Sequence, residues 1–233
     1  MQAVILAAGR GTRLQPLTDN IPKAMIKVNG KPILQILLEQ LKSVEITEII
    51  IIVHYLKEKI IEHFKDGSQL GISIKYVEQK EMKGSADAVL KAEPYVNDKF
   101  LCLACDSLFE NELLQKIINC KADGIFTCRK VEDGRRFGIL VTDGEKVTDI
   151  IEKPENPPTN LANFSVYLFP LQIFQTCKEI EPGVKGEFQI VDAIQKLIDY
   201  GISFGYQVSQ HIIDIGTHQQ LREAEELARR LGL

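Results

Sequence analysis

Several classes of protein are excluded by what this sequence lacks. No apolar run approaches the roughly 20 residues of a membrane-spanning helix. No basic lead precedes the first apolar run, which argues against a signal peptide and sets the expectation of a cytoplasmic protein. The five cysteines (Cys102, Cys105, Cys120, Cys128 and Cys177) are an odd number and supply no disulfide framework. Cys102 and Cys105 have the spacing of a metal-binding pair, but they lie in an apolar run, KFLCLACD, read as a strand. Residues three apart on a strand point to opposite faces, so both are read as small buried apolar residues. His54, His63, His211 and His218 form no ligand-spaced group. Neither charge dominates: 28 Lys and Arg against 32 Asp and Glu leave a formal net charge of −4, which favours neither nucleic acid nor an anionic membrane. There are no repeats, no low-complexity segment and no flexible linker. What is there is ordinary: 45% hydrophobic and 26% charged residues over 233 positions, enough to bury a full core.

The chain starts with an apolar run, Ala3 to Ala8, read as a buried parallel strand. Pro32 suits the first position of a helix that carries Ile33, Leu34, Leu37, Leu38 and Leu41 at helical spacing. Strands are expected at Glu48–Val53, Ile72–Val77 and Phe100–Ala104. Helices are expected around Leu56–Phe64 and from Gly84 to Glu93, where Ser85 is the candidate N-cap. Strand and helix thus alternate four times, the pattern of a parallel α/β sheet with ligands at the carboxyl ends of its strands. After about Ala122 strands follow one another, at Gly124–Lys130, Phe137–Thr142, Val147–Glu152 and Ala162–Leu168. Asp143-Gly144 is a hairpin signal for a turn of two residues or more. Helices at Leu171–Lys178 and Glu187–Tyr200, strands at Ser203–Val208 and Gln210–Asp214, and a helix opened by a Thr217-x-x-Gln220 capping box complete the chain. The expected fold is α/β. A Rossmann-like mixed, mostly parallel sheet is flanked by helices, and a second mixed α/β half belongs to the same unit. The halves divide at about 1–121 and 122–233.

The first turn holds the strongest chemical signal. Gly9 and Gly11 end the opening strand, and Arg13 and Lys23 follow. Glycines let the backbone turn sharply and approach a ligand, and two cations at a strand end suit phosphoryl oxygens. An ordinary strand-to-helix turn with two solvated cations explains a lone Gly-x-Gly equally well. The loop has no G-x-x-x-x-G-K-[ST] and is not a P-loop. Leu14 stands where a dinucleotide fingerprint needs its third small residue.

With LAAGRGTRL followed by PKAM, the chain resembles the sugar-1-phosphate nucleotidylyltransferases, or sugar-nucleotide pyrophosphorylases, and most of all their short UTP- and dTTP-dependent, glucose-1-phosphate-type members. Matching motifs follow in family order over nearly the whole length: Glu78-Gln79, GSADAVL from Gly84, Asp106, Phe137-Gly138, Glu152-Lys153-Pro154, Asn163 before SVYLF, GEFQIVDA from Gly186, and Asp214-Ile-Gly-Thr. The resemblance implies Mg²⁺-dependent transfer of a nucleotidyl group to a sugar 1-phosphate. It implies that Arg13 and Lys23 are catalytic and that Asp106 and Asp214 hold Mg²⁺. Leu6, Ala7, Ala8, Gly9, Gly11, Thr12, Gln79, Gly84, Ser85 and Asp106 would contact the nucleotide. Gln79 would read a pyrimidine, its amide both donating to and accepting from the imide edge. Gly138, Glu152, Lys153 and Asn163 would bind the sugar phosphate. Ser165 occupies a family glycine position and departs from the pattern.

The implied partners are therefore a nucleoside triphosphate, UTP ahead of dTTP, and a sugar 1-phosphate. Glucose 1-phosphate is the default, with N-acetylglucosamine, N-acetylmuramic acid and heptose phosphates open. A mannose-1-phosphate guanylyltransferase is the alternative within the class, and a non-catalytic nucleotide-sugar sensor the alternative outside it. A nucleotide-sugar glycosyltransferase is expected to carry Asp-x-Asp, where this chain reads Asp106-Ser107-Leu108. A homo-oligomer stays open.

Overall fold

The opening apolar run forms β1 (Gln2–Ala7), with Ala3, Val4 and Ile5 fully buried. Side chains buried on both faces are what a parallel strand covered by helices requires. The computed structural model describes residues 1–183 and 186–233. After β1 come a short hairpin, β2 (Lys27–Val28) and β3 (Lys31–Pro32), and then α1 (Ile33–Ser43). The alternation continues through β4 (Glu48–Val53), α2 (Lys57–Phe64), β5 (Ser73–Glu78), α3 (Ser85–Leu90) and β6 (Phe100–Ala104). The four longer strands pair in parallel in the order β5-β4-β1-β6. Their carboxyl ends therefore lie on one side, where the Gly9–Lys23 loop leaves β1.

The rest of the chain comprises β7 (Ser107–Leu108), α4 (Glu112–Ile118), β8 (Gly124–Lys130), β9 (Gly138–Asp143), β10 (Lys146–Glu152), β11 (Leu161–Phe169), α5 (Ile173–Glu179), α6 (Ile190–Asp199), β12 (Phe204–Val208), β13 (Ile213–Asp214) and α7 (His218–Leu231). The long strand β11 joins the two halves, pairing antiparallel with β6 on one side and β8 on the other. The sheet has nine strands in the order β5-β4-β1-β6-β11-β8-β12-β10-β9. It is mixed, as expected: β8 and β12 are again parallel, and the remaining pairs of this half are antiparallel. The register of β11 shifts between Phe164 and Tyr167, and Ala162 also pairs with Ile139 of β9. That irregularity brings Asn163 beside Gly138, two residues far apart in sequence.

Alternate residues of β1 feed two apolar clusters on opposite faces: Ala3, Ile5 and Ala7 in one, Val4 in the other. Cys105 lies in the first and Cys102 in the second, and all five thiols are free. A third cluster seats Leu14 of the opening loop against Ile213, Ile215 and Ala224. Burying a side chain such as Leu14 contributes about 1.5–3 kcal/mol, which ties the loop after β1 to the C-terminal helix.

Several local details differ from the sequence reading. Gly84, at φ 105°, takes the N-cap position of α3, and Ser85 is the first helical residue. The Ser85 hydroxyl instead accepts from the Ile190 backbone N–H at 2.9 Å, so it bridges the two halves. Ser107 and Leu108, to which the sequence reading assigned no element, form a strand paired with Ile213 and Asp214. The β9–β10 turn is two residues, Gly144 and Glu145, with Gly144 at φ 58°. Thr217 caps α7 by accepting from the Gln220 N–H at 3.2 Å, but the Gln220 amide reaches back one residue further, accepting from the Gly216 N–H at 3.0 Å.

Candidate active site

The carboxyl ends of β1, β5 and β6 and the bent part of β11 enclose an open cavity of about 1160 Å³. The opening loop forms one wall. Gly11 adopts φ 65°, and its carbonyl accepts from the Thr18 hydroxyl at 2.9 Å. A Cβ at Gly11 would stand 3.2 Å from Lys23 Cβ, so the loop folds tightly back on that lysine. Leu6, Ala8, Gly9, Gly11, Thr12 and Arg13 face the cavity. Ala7 does not: it is 2% exposed and packs into the core cluster beneath. Arg13 passes Gly216, where a Cβ would stand 3.0 Å from its Nη2. Gly216 thus makes room for a guanidinium that spans from the first strand to the last.

Behind this wall Lys23 is ion-paired with Asp106. Their side chains are 14% and 15% exposed, so neither is a solvated surface charge. Burial lowers the Lys23 pKa, but the Asp106 carboxylate and the nearby Asp214 outweigh it, and the net shift is upward. Asp106 immediately precedes β7 and Asp214 ends β13, the strand paired with it: the Ile215 N–H donates to the Asp106 carbonyl at 2.9 Å, and the Ser107 hydroxyl donates to Asp214 Oδ1 at 2.7 Å. Burial, then the charge of Asp106, pushes Asp214 up to about 7. Two largely buried carboxylates this close together suit a hard divalent cation. Among the described residues no group of three or more His, Cys, Asp or Glu gathers there. A pair of carboxylate ligands, with phosphate oxygens and waters to complete the shell, is how Mg²⁺ is commonly held.

The base-reading candidates sit at the end of β5. Gln79 is 3% exposed and borders the cavity. Its Nε2 donates to the Gly84 carbonyl at 3.1 Å and to Asp87 Oδ2 at 2.7 Å. Both amide protons are therefore spent, and Gln79 offers only its Oε1 rather than the donor and acceptor expected of it. Gly84 lies hard against the second half: a Cβ there would be 2.4 Å from the Phe188 carbonyl oxygen. The Phe188 N–H donates to Lys83 at 2.7 Å, and its carbonyl accepts from the Ala86 N–H at 2.9 Å.

Across the cavity, Gly138, Glu152, Lys153 and Asn163 come together as a second wall. Lys153 Nζ pairs with Glu152 Oε1 at 2.7 Å, both largely exposed. A Cβ at Gly138 would meet Glu152 Oε2 at 3.1 Å. Asn163 Nδ2 donates to the Tyr167 hydroxyl at 2.8 Å, while its buried Oδ1 has no partner. Tyr167 is buried, which pushes its phenol well above the ordinary range.

The sequence reading did not single out Arg10, Arg129 or Arg136, which also border the cavity. Arg129 Nη1 donates to the Ile212 carbonyl at 2.7 Å and its guanidinium lies 5.1 Å from the Phe164 ring centre. Its charge favours an ionised Asp214. The available signal was a cation near the end of the apolar strand GIFTCRK. Arg10 lies over Tyr55 at 5.6 Å, and the Tyr55 hydroxyl in turn holds the Thr18 and Asp19 carbonyls.

A family model described as nucleotidyl transferase matches residues 2–230. The UTP–glucose-1-phosphate uridylyltransferase AglF of Haloferax volcanii is 37% identical over 97% of this chain and 96% of its own length. The bifunctional protein GlmU of Methanocaldococcus jannaschii is 37% identical over 97% of this chain, which spans only 54% of that relative. A Bacillus anthracis crystal structure, provisionally described as a glucose-1-phosphate thymidylyltransferase and solved with sucrose, superposes with a TM-score of 0.88 at 30% identity, covering 98% of this chain and 95% of its own.

Proposed function

The chain belongs to the nucleotidyl transferase family, and from that premise we propose that it transfers the nucleotidyl group of UTP, with dTTP next, to a sugar 1-phosphate, glucose 1-phosphate by default. Pyrophosphate is released. The observation that carries this reading is one cavity in which Arg13, Asp106 and Asp214 face Glu152, Lys153 and Asn163, with Lys23 ion-paired to Asp106 behind its wall. The full-length likeness to a uridylyltransferase supports UTP and glucose 1-phosphate. The GlmU relatives, matched over about half their length, keep other sugar phosphates open.

The sugar phosphate is largely a dianion at neutral pH, its second pKa being ~6, and needs no general base. Its oxygen attacks the α-phosphorus in line as the bond to the β-phosphate oxygen breaks. The protein's task is to position two anions and offset their repulsion. Lys153 grips the incoming phosphate. Arg13 holds the β- and γ-phosphates, and Lys23 turns from Asp106 to the reacting phosphates. Mg²⁺ held by Asp106 and Asp214 would neutralise charge on the triphosphate oxygens. Glu152 accepts from sugar hydroxyls, and the unpartnered Asn163 Oδ1 does the same.

Pyrophosphate release from each of UTP, dTTP, GTP, CTP and ATP against a panel of sugar 1-phosphates, with and without Mg²⁺, tests the reading. Fastest turnover of UTP with glucose 1-phosphate is expected. Preference for GTP with mannose 1-phosphate, or binding with no turnover of any pair, would overturn it.

A further inference from the structure

We propose that Asp87 is a positioning residue that sets base selection by fixing which way the Gln79 amide faces. The inference rests on the nucleotide reading of this site. Asp87 lies in the first turn of α3 with its side chain 14% exposed. Its Oδ2 accepts from Gln79 Nε2 at 2.7 Å, and its Oδ1 pairs with Lys91 Nζ at 2.9 Å. The Gly84 carbonyl accepts the second Nε2 proton at 3.1 Å. An ionised carboxylate and a carbonyl are acceptors only. Were the amide turned over, Oε1 would face both of them with no proton between. The orientation of Gln79 is therefore dictated by its neighbours, and a lone acceptor is left to meet the base.

That acceptor discriminates. Uracil and thymine present a ring N3–H to it. Held in the same place, cytosine would set its unprotonated N3 against Oε1, acceptor facing acceptor in a buried setting, and only by shifting along the edge could its amino group reach that oxygen. The Lys91 ammonium touches only the far oxygen of Asp87 and contacts neither Gln79 nor the cavity. Selection thus depends on the charge and proton-accepting character of Asp87, one step removed from the substrate.

The test compares kcat/KM for UTP and CTP, with the same sugar 1-phosphate, in wild type and in Asp87→Asn, Asp87→Ala and Lys91→Met. Asparagine keeps the size but can donate as well as accept, so Gln79 is free to turn. Asp87→Asn is expected to lower the UTP-to-CTP ratio by on the order of 10- to 100-fold, with a gain in CTP turnover and not only a loss in UTP turnover. Asp87→Ala should shift the ratio the same way, and Lys91→Met should leave it unchanged. Loss of UTP turnover with no gain for CTP in both folded Asp87 variants would make Asp87 merely structural and overturn the inference. So would a wild type that takes CTP as readily as UTP. A wild type that turns over neither UTP nor dTTP overturns the proposed function itself.

Discussion

Ser107 and Asp214 face each other across the β7–β13 pairing, and the Ser107 hydroxyl donates to Asp214 Oδ1 at 2.7 Å. This contact draws the last strand of the chain onto the residue after Asp106 and sets two carboxylates side by side in a buried place. Asp214, held up to about 7, keeps its proton in the folded protein over a range where the unfolded chain, near 3.9, has lost it. The folded state then binds more protons, so stability falls as pH rises from about 4 to about 7 and levels off above. In the presence of a chelator, the thermal midpoint of wild type should decline over that window relative to Asp214→Asn. Parallel curves for the two proteins would contradict the assignment.

Lys23 is the cation that this acidic pair leans on. Lys23→Ala should reduce turnover by on the order of 10²–10³, the effect of a lost transition-state donor, while the protein still folds. It should also lower metal-free stability at pH 8, because Asp106 and Asp214 lose their counter-charge, and lower it less at pH 5, where Asp214 is protonated. Asp106→Ala should lose turnover to the same extent without that pH-dependent penalty. Pyrophosphate release and thermal unfolding, run on both variants, separate the two roles. Wild-type rates in either folded variant would remove the residue from the mechanism.

Two glycines separate structural from ligand-driven requirements. A Cβ at Gly9 meets nothing within 4 Å, whereas at Gly84 it would collide with the Phe188 backbone at a φ of 105°. Gly9→Ala should therefore fold with unchanged stability and still raise the KM for the nucleoside triphosphate, since only a bound phosphate would occupy that space. Gly84→Ala should lower the thermal midpoint as well, because the loop must part from the second half. An unchanged KM in Gly9→Ala would show that no ligand approaches there.

The strand series was legible because continuous apolar runs such as EIIIIV can be buried on both faces only within a covered sheet. Opposite burial of Cys102 and Cys105 followed from the two-residue strand period alone. Short pieces were less so: α4 (Glu112–Ile118) drew no assignment, and the two-residue strands β7 and β13 carry too little pattern to show that they pair. Motif residues clustered around the cavity, but the sequence could not show what each atom was doing. That Ser85 ties down Ile190, or that Gln79 has no proton to spare, depends on contacts made by chain folding, not on residue type. Arg129 stayed hidden because one cation in an apolar strand looks the same whether it reaches solvent or a site.

At the sugar end, the Tyr167 hydroxyl accepts from Asn163 Nδ2 and so fixes Asn163 Oδ1 as a buried, unpartnered acceptor. The Tyr167 ring is stacked on Phe169 at 5.0 Å and set edge-on to Phe126 at 5.9 Å, contacts that phenylalanine would keep. Tyr167→Phe therefore removes one hydrogen bond and little packing. Without its acceptor the Asn163 amide is free to rotate, which costs about 1 kcal/mol of oriented binding. The expected result is a rise of roughly five- to tenfold in the KM for the sugar 1-phosphate, with the KM for the nucleoside triphosphate and the thermal midpoint close to wild type. Equal changes in both KM values would mean that Tyr167 supports the whole cavity rather than the orientation of Asn163.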